Sequence, residues 1–385
     1  MDVTALRDKA AIVGIGETEY VKKSPRSIES LVFEAVEKAC ADAGITPKDL
    51  DGFVQCSSGG VSVSTMHFVT NYDPKEVSFA ATAPFGGGTG INAAAGLAAM
   101  AVNSGMCKYA VVWHGLAWGS MSQIPGDIHD RIPMKHDFET PYGWFGQPSH
   151  LAMLARRHMH EYGTTQDQLG AIAVAHRKHA ILNGNAVMKQ PITLADYHAS
   201  RWVAEPFHLL DCCLINDGAG AYIIASADRA KSMRKKPVYV MGLGIAPGHR
   251  TEFWAQNPKI TQTAAVDSAP RAYKMAGVGP KEIDFFQTYD CFTWTVLSTI
   301  EDHGFCKKGE GGPFCEGGRI EIGGELPVNT HGGMLSQSYM QGMNHVVESV
   351  RQLRGEAGKA QVKDAEIGLV GGYAGSTYAS LILRR

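Results

Sequence analysis

The sequence predicts an α/β fold of two similar halves, the first of them carrying a long insertion. Three observations point there. The stretches "AGITPKDLDGFVQC" (43–56) and "AGVGPKEIDFFQTY" (276–289) match at a constant offset of 233. Each is preceded by a helical pattern and, further upstream, by an apolar strand ending in glycines. Each half then continues with glycines, a helix and a buried strand: "FGGGTGINAAAGLAAMAVNSG" before "YAVVWHG", and "HGGMLSQSYMQGMNHVVESVRQLRG" before "IGLVGGYAG". A strand–helix–turn–strand unit that recurs together with its second part reads as a duplication.

In chain order, "AAIVGIGETEY" is the first strand. The helix "SIESLVFEAVEKACADAG" stops at Gly44, Pro47 lies just beyond it, and a strand follows. A small-residue helix and the strand "YAVVWHG" complete the first unit. The second unit repeats the order: "PVYVMGLGIAPG", the helix "TQTAAVDSAPRAYKMAG" ending at Gly277, and Pro280 beyond it. The halves are placed at 1–235 and 236–385, with the insertion at about 115–210. That insertion is rich in aromatic and His residues ("WHGLAWGSM", "HDFETPYGWFGQPSH", "RRHMHEYG"), as suits substrate-contacting loops or a subunit interface.

Composition excludes several classes of function. With 36 basic and 38 acidic residues the net charge is −2, which leaves no footprint for nucleic acid or an anionic membrane. The apolar run at 91–102 is too short to span a bilayer, and the start of the chain lacks a cleavable signal pattern. The eight cysteines follow neither a disulfide framework nor a CxxC pattern, so a reducing cytoplasm and no bound metal are expected.

The stretch "APFGGGTG" (83–90) opens a helix with backbone N–H groups and almost no side chains. No Lys-Ser/Thr follows, so it is not a nucleotide loop. Gly86, Gly87 and Gly88 are instead expected to offer main-chain donors to a developing oxyanion, helped by the positive end of the helix dipole. In the insertion, Trp118, Trp144 and Phe145 favour a flat, apolar acyl group, and Arg131 and Lys135 are candidates to meet a second carboxylate. His176 and His179 in "AVAHRKHA" suit a solvated helix or adenosine-phosphate contacts better than a metal site. Asp217 in "NDGAGA" reads as a turn former, and Asn329 and His331 in "VNTHGG" as candidate site residues that position a ligand group or a water.

The segments "LLDCCLINDGAGAYII", "EYGTTQDQLGAIAVAHRKHA", "YDCFTWTVL" and "HGGMLSQSYMQGM" resemble, in family order, those of the thiolase superfamily, and most closely its sterol-carrier and lipid-transfer branch. The family acylates a Cys at a buried helix start and uses a His in an "HDCF"-like motif and another in a "GHP" motif. Here the nucleophile position falls on Gly87 or Gly88. The first motif reads Tyr289-Asp290-Cys291-Phe292, and the second His falls on Tyr339. The C-terminal "CxG" cysteine is missing from "LVGGYAG". Without a thiolate there is no acyl-enzyme at that position, and Cys291 is a poor substitute because relatives with a separate nucleophile also carry it.

The resemblance implies carbon–carbon bond chemistry on an acyl-CoA without a catalytic cysteine, with Tyr289 and Tyr339 moving protons. Two reactions fit. The one expected first, on the aromatic loop, is CoA-dependent thiolysis of an aromatic β-ketoacyl-CoA, as when benzoylsuccinyl-CoA gives benzoyl-CoA and succinyl-CoA. The alternative is retro-aldol cleavage of a steroid side-chain β-hydroxyacyl-CoA to a ketone and propionyl-CoA or acetyl-CoA. A non-catalytic lipid-transfer or scaffold role is the third. The resemblance also implies no permanently bound cofactor, coenzyme A as part of substrate or product, and a homodimeric core. Finally, it implies a small zinc-ribbon and OB-fold partner, which would hold the only zinc, in an α2β2 assembly.

Overall fold

The computed structural model describes residues 4–56, 63–121, 135–144, 146–247 and 258–385, and the side chains of all of these except 135 and 136. Arg131 and Phe145 lie outside the described residues, as does the Lys135 side chain. Nine strands form one sheet: β1 (Ala10–Glu17), β2 (Gly52–Cys56), β3 (Phe79–Ala83), β4 (Tyr109–Ala117), β5 (Asp217–Ser226), β6 (Val238–Pro247), β7 (Phe285–Thr288), β8 (Ile367–Ala374) and β9 (Thr377–Arg384). Their order across the sheet is β3-β2-β4-β5-β1-β6-β9-β8-β7.

The order reads alike from either end. In the first half β2 pairs parallel with β3 and β4, and β5 runs antiparallel to both β4 and β1. In the second, β7 pairs parallel with β8, and β9 runs antiparallel to both β8 and β6. Val328, bridged in parallel to Phe286, stands where β3 stands in the first half. The halves join where β1 meets β6 antiparallel, Ala11 facing Tyr239 and Ile12 facing Val238.

The helices repeat as well. Helix α1 (Ile28–Ala43) ends at Gly44 with φ +78°, followed by a single turn at Pro47–Asp49. Its later counterpart (Ala265–Ala276) ends at Gly277 with φ +72°, followed by a turn at Pro280–Glu282. Only a residue at ease in the left-handed region closes a helix this way without strain. Each strand–helix contact also uses the same small residues. A Cβ on Gly14 or Gly16 would overlap the carbonyl oxygens of Ala39 and Ala35, and one on Gly242 or Gly244 those of Ala272 and Ser268.

Helix α2 (Thr65–Tyr72) lies beyond β2, and α3 (Gly87–Asn103) packs on strands of both halves, almost wholly buried. Asn92 fastens α3 to the second half by donating to the carbonyls of Val370 at 3.0 Å and Ala379 at 2.9 Å. The insertion contributes α4 (Gly146–Tyr162), α5 (Gln166–Asn183) and a ribbon of Trp202–Ala204 with Phe207–His208. Helix α6 is Ala265–Ala276, α7 is Thr293–Asp302, and α8 (Met343–Arg354) packs across β1 and β5 as well as β7 and β8. Among the described residues no helix is long and apolar enough to cross a membrane.

Helix α5 corrects one expectation. His176 and His179 do not lie on a solvated face; both are buried, as is Arg177, whose guanidinium donates to Ser336 and to the Gln190 carbonyl. The helix is enclosed on several sides, so its sequence shows little amphipathic contrast.

Replacing Gly14 or Gly244 by Ala is expected to push β1 off α1, or β6 off α6, and to destabilise the fold by about 1–3 kcal/mol, the usual cost of overpacking. A lower urea midpoint at unchanged m-value would register it.

Candidate active site

Tyr289 follows β7 directly, and its amide donates to the Gly371 carbonyl of β8 at 3.0 Å. It therefore sits at the carboxyl end of a parallel strand pair, where α/β sheets open their crevices. Tyr339 reaches the same point on the loop before α8. Its amide donates to Asn216 Oδ1 at 2.7 Å, and the Asn216 amide donates to Ser338 Oγ at 2.7 Å, so the first half grips this loop of the second. The two phenol oxygens lie 2.8 Å apart, both side chains buried.

Helix α3 points its N-terminus at this pair. Gly86 is the N-cap and no side chain caps the helix, so the first-turn N–H groups are left to a ligand or solvent. Gly87 has φ +54°, and a Cβ built on it would lie 3.6 Å from the Tyr289 hydroxyl. A Cβ on Gly88 would lie 2.5 Å from the Tyr289 ring and 2.9 Å from the Tyr373 amide. The ring of Tyr289 thus fills the space that a side chain at 88 would need. Trp118 stacks on Tyr339, with centroids 4.9 Å apart, and its indole Nε1 is buried without a partner.

The electrostatics follow from burial. Desolvation raises both phenols above their ordinary range, Tyr289 further through its neighbour Tyr339. Every one of the eight thiols is also raised, chiefly by burial, Cys212 to about 12 and Cys213 and Cys291 beside the pair included. None is poised as a thiolate nucleophile.

One buried charge organises the surroundings. Asp290 accepts from His176 Nδ1 at 3.0 Å and from the amides of Met334 at 2.8 Å and Leu335 at 3.2 Å, and lies 3.3 Å from His345 Nε2. Burial opposes its charge, but the hydrogen bonds from the two histidines outweigh this and hold the carboxyl well below the usual range. Gly333, φ +60°, is required here, because a Cβ would collide with the carboxylate. Asp290 so ties the residue next to Tyr289 to the loop that delivers Tyr339.

The remaining candidates separate. The Asn329 side-chain amide binds the backbone of Thr288, accepting from its N–H at 2.7 Å and donating to its carbonyl at 2.9 Å, so it holds the strand end. His331 is buried, its Nε2 2.9 Å from His345 Nδ1, and burial pushes its pKa well down. Trp144 stands edge-on to His150, centroids 5.0 Å apart, and no described contact brings it to the phenols. Asp217 accepts from the amides of Ser24 and Gly119, each at 2.7 Å, and shapes a turn. Sequence reasoning missed Asn216 and His345, set His176 on a solvated face, and named Asp290 without giving it a role. Only Asp290 carried a signal, its place within the "YDCF" motif.

Comparisons with known proteins identify the family of the chain. Residues 246–385 match the family model described as thiolase C-terminal domain-like. The 17-hydroxy-3-oxo-4-pregnene-20-carboxyl-CoA lyase of Mycobacterium tuberculosis is 37% identical over 363 residues, 91% of this chain and 92% of that protein. A steroid side-chain-cleaving aldolase of Thermomonospora curvata is 37% identical over 372 residues, 92% of each. A solved structure named Ltp2-ChsH2(DUF35) aldolase superposes with a TM-score of 0.90 at 36% identity, covering 98% of both chains. The benzoylsuccinyl-CoA thiolase subunit BbsB of Thauera aromatica is more distant, 29% identical over 93% of this chain and 92% of its own length. The chain belongs to the thiolase superfamily. Within it, the chain is of the sterol-carrier-protein type and is an enzyme of acyl-CoA carbon–carbon bond cleavage.

Burial also sets a pH dependence. His179 is pushed down to about 3, first by desolvation and then by His176, so it stays neutral in the fold while the unfolded chain protonates below about pH 6.5. The unfolded state then binds more protons, and stability falls by about 1.4 kcal/mol per pH unit for each such histidine. Asp211, raised to about 6 by burial, works in the opposite sense. Urea unfolding at pH 7.5 and pH 5 is expected to show a net loss at pH 5, and His179→Gln a shallower slope.

Proposed function

We propose that this chain is the catalytic, thiolase-fold subunit of an aldolase that cleaves a β-hydroxyacyl-CoA with a bulky, steroid-type acyl group into a ketone and a shorter acyl-CoA. The observation that carries the reading is the Tyr289–Tyr339 hydroxyl pair at 2.8 Å, set over the uncapped start of α3. The aromatic thiolysis expected first gives way to this alternative, because relatives named for steroid cleavage are 37% identical and the benzoylsuccinyl-CoA subunit 29%.

Retro-aldol cleavage moves one proton from the β-hydroxyl to Cα. One phenol takes the hydroxyl proton and passes its own to the second, which protonates Cα. The electron pair of the breaking Cα–Cβ bond first enters the thioester enolate, and a C=O forms at Cβ. Each phenol gives one proton and receives one, so neither needs to persist as a phenolate. That accords with two raised phenols. The first-turn N–H groups at Gly86, Gly87 and Gly88 hold the enolate oxygen, where preorganised donors are worth most. Trp118 forms the acyl wall behind Tyr339. Asp290, His331 and Asn329 shape the loops and stand apart from the reacting atoms.

Further parts of the reading rest on the relatives and on composition. The chain works on a homodimeric core with a small partner carrying a zinc ribbon and an OB-fold, in an α2β2 assembly; the solved relative named for two components supports a partner. Its halves are 1–235 and 236–385, in keeping with the repeated strand order. Eight unpaired cysteines suit a cytoplasmic setting.

Tyr289→Phe and Tyr339→Phe keep the rings and remove the relay, and each is expected to lower kcat about 10²–10⁴-fold with little change in KM. Cys291→Ser is expected to leave kcat essentially unchanged. Mass spectrometry of the products of a steroid-type β-hydroxyacyl-CoA checks this: free ketone with one short acyl-CoA supports the reading, and turnover only of β-ketoacyl-CoA to two CoA thioesters overturns it.

A further inference from the structure

We infer that Asp217 is a positioning residue: by holding the turn that carries Trp118, it keeps the indole against the ring of Tyr339. The inference rests on the aldolase reading, to which it adds a residue that acts from outside the reacting atoms.

Asp217 opens β5, is fully buried, and pairs across the sheet with Ala117, the last residue of β4. The chain turns at once after Ala117, whose carbonyl accepts from the amides of Ser120 at 3.3 Å and Met121 at 3.1 Å. Trp118 and Gly119 lie within this turn. Asp217 Oδ1 accepts from the amides of Gly119 at 2.7 Å and Ser120 at 3.2 Å. Its Oδ2 accepts from the Ser24 amide at 2.7 Å, and the Ser120 hydroxyl lies against the same oxygen. Three backbone donors from two segments thus converge on one carboxylate, and bonds to a charged acceptor are the strong ones. Gly119 leaves the turn no slack, since a Cβ there would stand 1.7 Å from the Lys22 carbonyl oxygen.

The residue before Asp217 grips the other ring. Asn216 accepts from the Tyr339 amide and donates to Ser338 Oγ, each at 2.7 Å. Two residues further on the loop turns sharply into α8, Gln341 with φ +51° and Gly342 with φ +94°. Neighbouring residues at one strand start therefore fix two separate segments. The rings those segments carry stack with centroids 4.9 Å apart and planes 24° apart. Tyr339 is held at its backbone by Asn216 and along its face by Trp118, while its hydroxyl meets that of Tyr289 at 2.8 Å. Loosening the turn at Trp118 frees the ring to swing, and displacing a reacting group by about 1 Å can cost about 10²-fold in rate.

Asp217→Asn keeps the shape of the side chain but sets an NH₂ group where a carboxylate oxygen accepts backbone N–H donors, so donor faces donor. The test uses the full chain, with its partner where the partner is needed for activity. Asp217→Asn, Trp118→Ala and the double variant are compared by kcat on a steroid-type β-hydroxyacyl-CoA, at a temperature where circular dichroism shows every variant folded. A crystal structure of Asp217→Asn is determined alongside. Asp217→Asn is expected to lower kcat about 10–100-fold, and Trp118→Ala at least as much. The double variant is expected to be no slower than Trp118→Ala, because a residue acting through the indole has nothing left to position. The crystal structure is expected to show the indole displaced from Tyr339. Multiplied losses in the double variant, as a merely structural role predicts, would overturn the inference. So would a wild-type kcat in Asp217→Asn or an unmoved stack. If Asp217→Asn does not fold, Ser120→Ala, which removes the hydroxyl at Oδ2 and keeps the backbone donors, is read by the same criteria with a smaller expected loss. A wild type that cleaves no β-hydroxyacyl-CoA overturns the aldolase reading, whereas the crystal structure still decides whether Asp217 holds the stack.

Discussion

The site depends on one exclusion: the Tyr289 ring and a side chain at residue 88 cannot occupy the same space. A Cβ there would stand 2.5 Å from the ring, well inside van der Waals contact. The bare helix start and the tyrosine are therefore a single arrangement. Once the ring lies over α3, the first-turn amides remain as donors, and the proposed chemistry draws on protons and main-chain dipoles. The phenol pair, the glycines of the "GGGTG" turn and the sharp loop before α8 all conform to that exclusion.

Burial does the rest. A dry pocket makes ionisation of phenols and thiols costly, and a net-neutral proton relay is the form of acid–base chemistry that such a pocket accommodates. The formal charge tolerated close by belongs to Asp290, which two histidines and two backbone amides surround. Its task is architectural, since it joins the strand end at Tyr289 to the loop at Tyr339. Asn216 grips the same loop from the first half, and Asn329 closes the strand end through both atoms of its amide.

Much of this was legible in the sequence, for physical reasons. The duplication showed because a helix that must end in the left-handed region keeps its Gly, and a following turn that starts in Pro keeps that too; Gly44, Pro47, Gly277 and Pro280 hold equivalent places. Tyr289, Tyr339 and the glycines of α3 showed through motif position. What stayed hidden depended on contacts between distant segments. His176 read as solvated because a helix enclosed on several sides loses its amphipathic contrast. Asn216 was one polar residue in a turn until its partner 123 residues away came into view. Trp144, grouped with Trp118 on composition, packs on His150 instead.

The grip of Asn216 on the loop of Tyr339 has an evolutionary consequence. The first half supplies the helix start, the indole and the clamp, and the second supplies both phenols. An ancestral gene duplication ordinarily leaves two copies free to diverge or be lost independently. In the proposed reading neither copy holds a complete centre by itself, so the two copies serve as one functional unit.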